Sequence, residues 1–181
     1  PYIESDGRIN YAESIRNIGL LIDAQCKKLG LKPPAILLEP GRSIVADAGM
    51  TLYTVGSVKT ITGYKSYVSI DGGMTDNPRY TLYQSAYTVL LANRANEAPE
   101  AEYTVGGRCC ESGDILQENV RMPEDIGRGE LIACLTTGAY HYSMASNYNR
   151  VPRPPVVMLS QGNSYVAVKR ETYADLLLND I

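Results

Sequence analysis

Hydrophobic positions near the N-terminus recur at helical spacing. Residues 11–29 carry an apolar side chain every three or four positions, which predicts one amphipathic helix. Its apolar face consists of Tyr11, Ile15, Ile18, Ile22 and Leu29. Asn10 suits the N-cap, with Glu13 at the reciprocal capping position, and Gly30 suits the position after the last turn.

A short, continuously apolar run follows this helix. Pro33 and Pro34 prevent the helix from continuing, and residues 35–38 are all apolar, which is typical of a parallel strand buried on both faces. Helix, loop and buried strand form the second half of a βαβ unit. The predicted strand ends at the EPGR motif, residues 39–42, and barrel enzymes keep their chemistry at such strand ends.

The pattern changes at about residue 46. Short β-rich runs alternate with turn residues, which predicts an antiparallel sandwich or barrel and a mainly β fold. Seven strands are predicted, at 52–58, 67–70, 86–91, 103–105, 131–135, 156–159 and 165–168. A final helix is predicted from Thr172, with Asp175 at the capping position. The chain therefore divides into residues 1–45 and 46–181.

Composition narrows the class of protein. The chain has 181 residues, 44% hydrophobic and 20% charged, which supports a packed core and argues against disorder. No apolar run approaches the roughly 18 residues that span a bilayer, so we expect no membrane insertion. The formal charge of -3, without a basic block, argues against nucleic-acid binding. There is no Phe and no Trp but there are 14 Tyr, so buried tyrosine hydroxyls will need hydrogen-bond partners.

The four cysteines are Cys26, Cys109, Cys110 and Cys134. They form no CxxC pair and no metal-ligand spacing, so we expect no metal site. The adjacent pair could not form a disulfide without strain, which favours a reducing, cytoplasmic compartment. The chain begins with Pro1 and shows no leader-like segment, so it reads as a mature product or a fragment.

Four polar motifs could carry chemistry, and each has a plainer explanation. EPGR could present Glu39 and Arg42 around a flexible Gly41, or form a salt-bridged turn. DGGMTDNPR, residues 71–79, ends in Arg79, whose planar guanidinium suits a carboxylate or phosphate, or it is a solvated loop.

The other two motifs lie further along the chain. CCESGD, residues 109–114, suits a thiol proton donor beside a carboxylate that binds an amine, or it is a polar turn with an incidental thiol. GAYHYSMASNYN, residues 138–149, is rich in hydrogen-bonding groups. It contains His141, the only histidine, which we interpret as structural or solvent-facing rather than catalytic.

In this order, EPGR, DGGMTDNPRYTLY, CCESGD and GAYHYSMASNYN-x-x-PRPP resemble the diaminopimelate decarboxylase family over essentially the whole chain. CESGD and the Arg79-x-x-Leu82-Tyr83 spacing are the specific signals, because ornithine- and arginine-type relatives share EPGR. The resemblance implies a pyridoxal-phosphate enzyme in which an alanine-racemase-like (β/α)8 barrel joins a β-domain. Residues 1–45 would then be the last helix–strand unit of the barrel, and 46–181 the C-terminal β-domain.

The resemblance also implies roles for individual residues around the cofactor. Glu39 would lie against the pyridine nitrogen of pyridoxal 5'-phosphate and keep it protonated. Gly41 and Arg42 would help to hold phosphate and substrate, and Tyr140 would contact both. Backbone N–H groups and a guanidinium are physically suited to these anions.

For the substrate, the resemblance implies that Arg79 and Tyr83 hold the far amino-acid group, whose carboxylate Arg79 and Arg42 would bind. Glu111 would bind its ammonium, and Cys110 would contribute the proton that replaces carbon dioxide. In the family the Cys-Glu loop reaches across a homodimer, so Cys110 and Glu111 would serve the partner's site.

The implied reaction is decarboxylation of meso-2,6-diaminopimelate to L-lysine and carbon dioxide, by a carboxy-lyase of lysine biosynthesis. None of the six lysines stands where the family's Schiff-base lysine does, and the family's glycine-rich phosphate loop has no counterpart here. We therefore expect this chain to be a C-terminal fragment, inactive alone. Two alternatives remain open: a decarboxylase of another basic amino acid, of the ornithine or arginine type, and a non-catalytic dimerisation module.

Overall fold

The computed structural model describes residues 2–3, 5–7 and 9–181, so positions 1, 4 and 8 of the predicted N-terminal region lie outside the described residues. The α-helices are α1 (Tyr11–Leu29), α2 (Arg42–Val45), α3 (Arg79–Tyr83) and α4 (Tyr173–Leu176). Within the described ranges, no helix has both the length and the apolar character that crossing a membrane requires.

Eight strands occur in the described part of the chain. They are β1 (Met50–Ile61), β2 (Lys65–Ile70), β3 (Val89–Leu91), β4 (Ala101–Gly106), β5 (Ile115–Met122), β6 (Leu131–Leu135), β7 (Val156–Ser160) and β8 (Asn163–Val168). Six of them form one sheet in the order β3-β6-β1-β2-β4-β5, and β7 and β8 form a separate hairpin.

The six-stranded sheet curls until its two edges meet. The edge strands are β3 and β5, and the N–H of Tyr87, just before β3, donates to Oε1 of Gln117 on β5 at 2.6 Å. Most strand pairs are antiparallel, but β2 and β4 run parallel. The result is a mainly β, nearly closed barrel, as predicted, with one parallel pair that the antiparallel prediction did not include.

Aliphatic and tyrosine side chains fill the interior of this barrel. Val68, Val105 and Ile132 are fully buried, because alternate residues of each strand point to the same face. The hydroxyl of buried Tyr53 donates to Oδ2 of Asp76 at 2.6 Å, and that of Tyr103 reaches the carbonyl of Pro123 at 3.4 Å. The hydroxyls of these two core tyrosines therefore have the hydrogen-bond partners that their burial demands.

All seven predicted strands are present, but β5 was missed. Three of its residues, Leu116, Val120 and Met122, point into the core. The polar run from Gln117 to Asn119 conceals this alternation, and Asn119 adopts a left-handed backbone, with φ 55°. Its neighbour Glu118 forms an ion pair with Lys65 on β2 at 2.6 Å, which a single-segment pattern cannot indicate.

The predicted helix over 11–29 is confirmed, with both predicted ends. The Asn10 side chain accepts the Glu13 N–H at 3.2 Å, and Gly30 ends the helix in a left-handed conformation. The C-terminal helix α4 also begins as predicted, because Thr172 and Asp175 form a reciprocal capping box.

The predicted strand at 35–38 is not formed. These residues have no regular secondary structure, and Leu37 is 92% exposed. A strand exists only through hydrogen bonds to a neighbouring strand, and no neighbour lies beside this segment among the described residues.

Candidate active site

Helix α3 presents a guanidinium on one face. Arg79 and Tyr83 lie four residues apart and therefore share that face, with the guanidinium carbon 4.6 Å from the centre of the Tyr83 ring. The ring of Tyr140 lies 5.6 Å from the same carbon. Arg79 Nε is buried and has no hydrogen-bond partner among the described residues, so the aromatic rings orient a guanidinium that still has an unused N–H donor.

A tyrosine from the N-terminus connects both predicted arginines. Arg79 Nη2 donates to the hydroxyl of Tyr2 at 2.7 Å, and the guanidinium of Arg42 stacks on the Tyr2 ring at 3.7 Å. Tyr2 in turn packs edge-on against Tyr87, with ring centres 4.8 Å apart. Two cations are thus held within reach of one anion, although 37 positions separate them in the sequence.

The EPGR segment meets the Tyr140 segment through a glycine. The hydroxyl of Tyr140 lies so close to the backbone of Gly41 that a Cβ at that position would overlap it. Tyr140 itself has a left-handed backbone, with φ 64°, a strained conformation that often marks functional sites. The close approach explains why glycine is needed at position 41.

His141 is buried below this cluster. Its Nδ1 lies 3.0 Å from the carbonyl of Ala139, which makes Nδ1 the protonated nitrogen, and its ring packs edge-on against Tyr87 at 5.0 Å. Burial, together with the nearby charge of Arg79, lowers the pKa of His141 to about 4. The imidazole is therefore neutral near pH 7 and packs in the interior.

The Cys-Glu loop lies on the other side of α3. Thr81, two residues after Arg79 and hence across the helix, donates its hydroxyl to the carbonyl of Gly113 at 2.8 Å. Glu111 accepts the Gly113 N–H at 3.1 Å, and this bond, with the Ser112 hydroxyl, lowers the pKa of its carboxyl. Glu111 is therefore ionised and suited to an ammonium group.

The two cysteines of this loop differ. Burial, reinforced by the negative charge of Asp114, raises the pKa of the Cys109 thiol to about 11. Cys110 is exposed to solvent. Cys110 is thus the thiol that a bound molecule could reach.

The structure brings five of the predicted residues together and leaves three apart. The clustered residues are Gly41, Arg42, Arg79, Tyr83 and Tyr140. Among the described residues, no hydrogen bond, ion pair or aromatic contact joins Cys110 or Glu111 to that cluster. Glu39 is exposed and forms no hydrogen bond or ion pair with a described side chain.

Sequence reasoning missed two groups at this site. Tyr2 carried no signal, because an isolated tyrosine outside every motif is unremarkable in a chain with 14 of them. Asp114 was noted only as the end of CCESGD, although its burial, with 4% exposed, indicates a specific structural role. The glycines that pack against it, at positions 73 and 107, were the available clue.

Comparison with known proteins identifies a family to which the chain is similar. The model of the family described as pyridoxal-dependent decarboxylase, C-terminal sheet domain, matches residues 13–138. Diaminopimelate decarboxylases of Bacillus subtilis and Staphylococcus aureus are 46% and 45% identical to the chain over 99% of its length. The chain spans 41% and 42% of those two proteins.

Solved structures give the same picture. A crystal structure of a diaminopimelate decarboxylase superimposes with a TM-score of 0.81 at 34% identity, covering 98% of this chain and 44% of that one. The diaminopimelate decarboxylase from M. jannaschii in complex with L-lysine gives a TM-score of 0.82 at 32% identity, covering 100% and 40%.

Proposed function

The chain belongs to the pyridoxal-dependent decarboxylases, and we propose that it is the C-terminal part of an enzyme converting meso-2,6-diaminopimelate to L-lysine and carbon dioxide. The observation that carries this proposal is the convergence of Arg42, Arg79, Tyr83 and Tyr140 from three separate segments. One of the relatives is described in complex with L-lysine, the product of this reaction.

The residues present fit the cofactor that the family name implies. The Tyr140 hydroxyl lies against the backbone of Gly41, and Arg42 is the next residue in the chain, so the segment offers a hydroxyl, backbone and a guanidinium, a combination suited to a phosphate. Glu39 at the end of the same segment would pair with the ring nitrogen. When bound, pyridoxal 5'-phosphate stabilises the electron pair left on carbon as carbon dioxide departs.

The chain's own residues account for a diacid substrate. In the described part of the chain, the buried Nε–H of Arg79 has no partner and its guanidinium, held by two aromatic rings, forms no ion pair, so it is suited to take a carboxylate. Ionised Glu111 would bind the ammonium of the same amino-acid group. A substrate lacking either charge would leave one of these groups unpaired, which is the basis for discrimination against ornithine.

Cys110 would deliver a proton to the carbon that loses carbon dioxide. Helix α3 lies between the Cys-Glu loop and the Arg79 cluster, so Cys110 and Glu111 would have to act in the site of a second copy rather than in that of their own chain. A homodimer with shared active sites meets this requirement, and we propose that assembly.

The same proposal assigns each of the two parts of the chain to a structural unit of the complete enzyme. Residues 1–45 would be the last helix–strand unit of the cofactor-binding barrel, and residues 46–181 the β-domain. Four free cysteines and a substrate of amino-acid biosynthesis support a cytoplasmic location.

The decisive experiment measures release of carbon dioxide and L-lysine from meso-diaminopimelate by the complete decarboxylase containing this chain. Arg79→Ala is expected to lower kcat/KM by about 100-fold, because it removes a charge-assisted contact in a desolvated site. Arg128→Ala, on an exposed loop, is the matched control and should stay within about twofold of the wild type.

Glu111→Gln should impair diaminopimelate turnover in the same assay. The proposal is wrong if ornithine is turned over faster than diaminopimelate and neither substitution affects that rate. A complete protein that dimerises but turns over no amino acid would instead identify the chain as an interaction module.

A further inference from the structure

The carboxylate of Asp114 lies buried between two loops and binds both. Its Oδ1 accepts the N–H of Met74 at 2.6 Å, and its Oδ2 accepts the N–H of Cys109 at 2.7 Å. Only 4% of the residue is exposed. Each oxygen therefore serves a different loop, and solvent replaces neither bond.

Two glycines form the walls around this carboxylate. A Cβ at Gly73 or at Gly107 would overlap the oxygens of Asp114. Gly73 also has φ +149°, a conformation that side-chain-bearing residues rarely adopt. The backbone is thus shaped around a carboxylate at this position, and the space admits no larger group.

The two loops lead to different parts of the candidate site. Met74 belongs to the loop that enters α3, which carries Arg79, and Cys109 opens the loop that carries Cys110 and Glu111. The Arg108 N–H adds a third connection by donating to the carbonyl of Gly72 at 3.1 Å. Of these connections between the two loops, only the hydrogen bonds of Asp114 involve a buried, charged side chain.

We propose that Asp114 is a positioning residue that holds the Cys110–Glu111 loop at a fixed place against the segment carrying Arg79. It thereby fixes how the thiol and the ammonium-binding carboxylate would be presented to the site of the partner subunit. This inference rests on the proposed function, but the anchoring itself can be measured without any turnover.

The exposure of the Cys109 thiol indicates whether Asp114 still holds the Cys-Glu loop in place. Cys109 follows the position of the carboxylate because its own N–H binds Asp114, whereas Cys134 is buried elsewhere in the core. If the anchor is lost, Cys109 becomes exposed and reacts with a thiol reagent. Cys134 remains protected in the same sample and serves as an internal standard for intact folding.

The test compares Asp114→Asn with Asp76→Asn in the 181-residue chain. Asp76 is a buried carboxylate of the same region, but it binds Gly73 N and the Tyr53 hydroxyl rather than the Cys-Glu loop. Iodoacetamide labelling of Cys109 near pH 8 should rise at least about fivefold in Asp114→Asn, and hydrogen exchange of residues 108–113 should accelerate. Asp76→Asn should leave both within about twofold of the wild type.

In the complete decarboxylase, Asp114→Asn should lower kcat/KM by about tenfold or more, since small misplacements of reacting groups are costly. Cofactor affinity should stay unchanged, because Gly41, Arg42 and Tyr140 lie on other segments. If the wild type decarboxylates nothing, the proposed function fails, while hydrogen exchange of residues 108–113, which does not depend on the thiol pKa, still decides the role of Asp114.

Equal labelling and exchange in Asp114→Asn and the wild type would overturn the inference. Gly107→Ala is the second variant, since its methyl group would displace the carboxylate without changing any charge, and it should expose Cys109 in the same way. If neither variant folds, as judged by circular dichroism, Asp114 is a requirement of the fold and the positioning role is rejected.

Discussion

The N-terminal helix and the β-barrel carry equally regular apolar patterns, but they bury them very differently. None of the residues of α1 is buried, and Ile15 and Leu21 are 52% and 65% exposed. In the barrel, Val55 is 1% exposed and Ile132 is fully buried. An apolar pattern thus shows which face of an element is made to be covered, but burial requires an element that covers it.

In the barrel, the apolar face of each strand is buried by other strands of the same sheet. Each strand of the sheet packs side chains against those of strands up to about 80 residues away, as where β1 pairs with β6. Helix α1 finds no such partner among the described residues. Under the proposed function its cover is the remainder of the cofactor-binding barrel.

The first prediction compares how much the free energy of unfolding changes when a leucine of the barrel core and a leucine of α1 are each replaced by alanine. Leu116→Ala should lower the free energy of unfolding by about 2–5 kcal/mol, because it leaves a cavity in a packed interior. Leu21→Ala, the same chemical change on α1, should alter it by no more than about 0.5 kcal/mol. Urea unfolding of the chain measures both.

A large effect of Leu21→Ala would contradict this contrast, because it would show that α1 is packed in solution. Light scattering on the same samples would then tell whether a second copy covers the helix.

The second prediction concerns two buried titratable groups of the β-domain. Burial raises the pKa of Asp76 to about 6, so its stabilising contribution is complete below about pH 4 and is lost as the pH rises through 6. Burial lowers the pKa of His141 to about 4, so its contribution is present above about pH 6.5 and is lost as the pH falls through 4. Each amounts to about 3 kcal/mol, from the size of its pKa shift.

These two groups have opposite effects between pH 4 and 6, so the wild type should change little in stability across that window. Asp76→Asn should become more stable as the pH rises, and His141→Gln less stable. Denaturant unfolding at several pH values, expressed as variant minus wild type, removes the background of other groups. Parallel curves for all three proteins would refute the assignment.

The third prediction concerns the cap of α1. Asn10→Ala removes the acceptor for the Glu13 N–H and should cost about 1 kcal/mol of helix stability, with faster exchange in the first turn. Because the helix is not packed on the barrel, urea unfolding of the barrel should not change. Asn17→Ala, an exposed position in the middle of the same helix, is the matched control and should raise helicity. Equal helicity in the two variants would exclude the cap.

Local elements were predictable wherever the determining residues are neighbours in the chain. The limits of α1 follow from Asn10 and Gly30, and α4 follows from the Thr172–Asp175 capping box. Strand β5 was missed because Glu118 at its centre is stabilised by Lys65, a residue 53 positions away. The strand predicted at 35–38 was wrong for the matching reason: its apolar run is real, but pairing depends on a partner strand.

Capping, alternation and motif residues act over a few positions, so the sequence alone predicted both ends of α1, the start of α4, seven of the eight described strands, the family and the types of functional group. Which of those groups meet depends on the tertiary structure. The antiparallel pairing of β1 with β6 brings Tyr140 against Gly41, Tyr2 joins Arg42 to Arg79, and α3 lies between these residues and the Cys-Glu loop. Such contacts depend on strand order and on the glycines that permit close approach, and no local pattern contains that information.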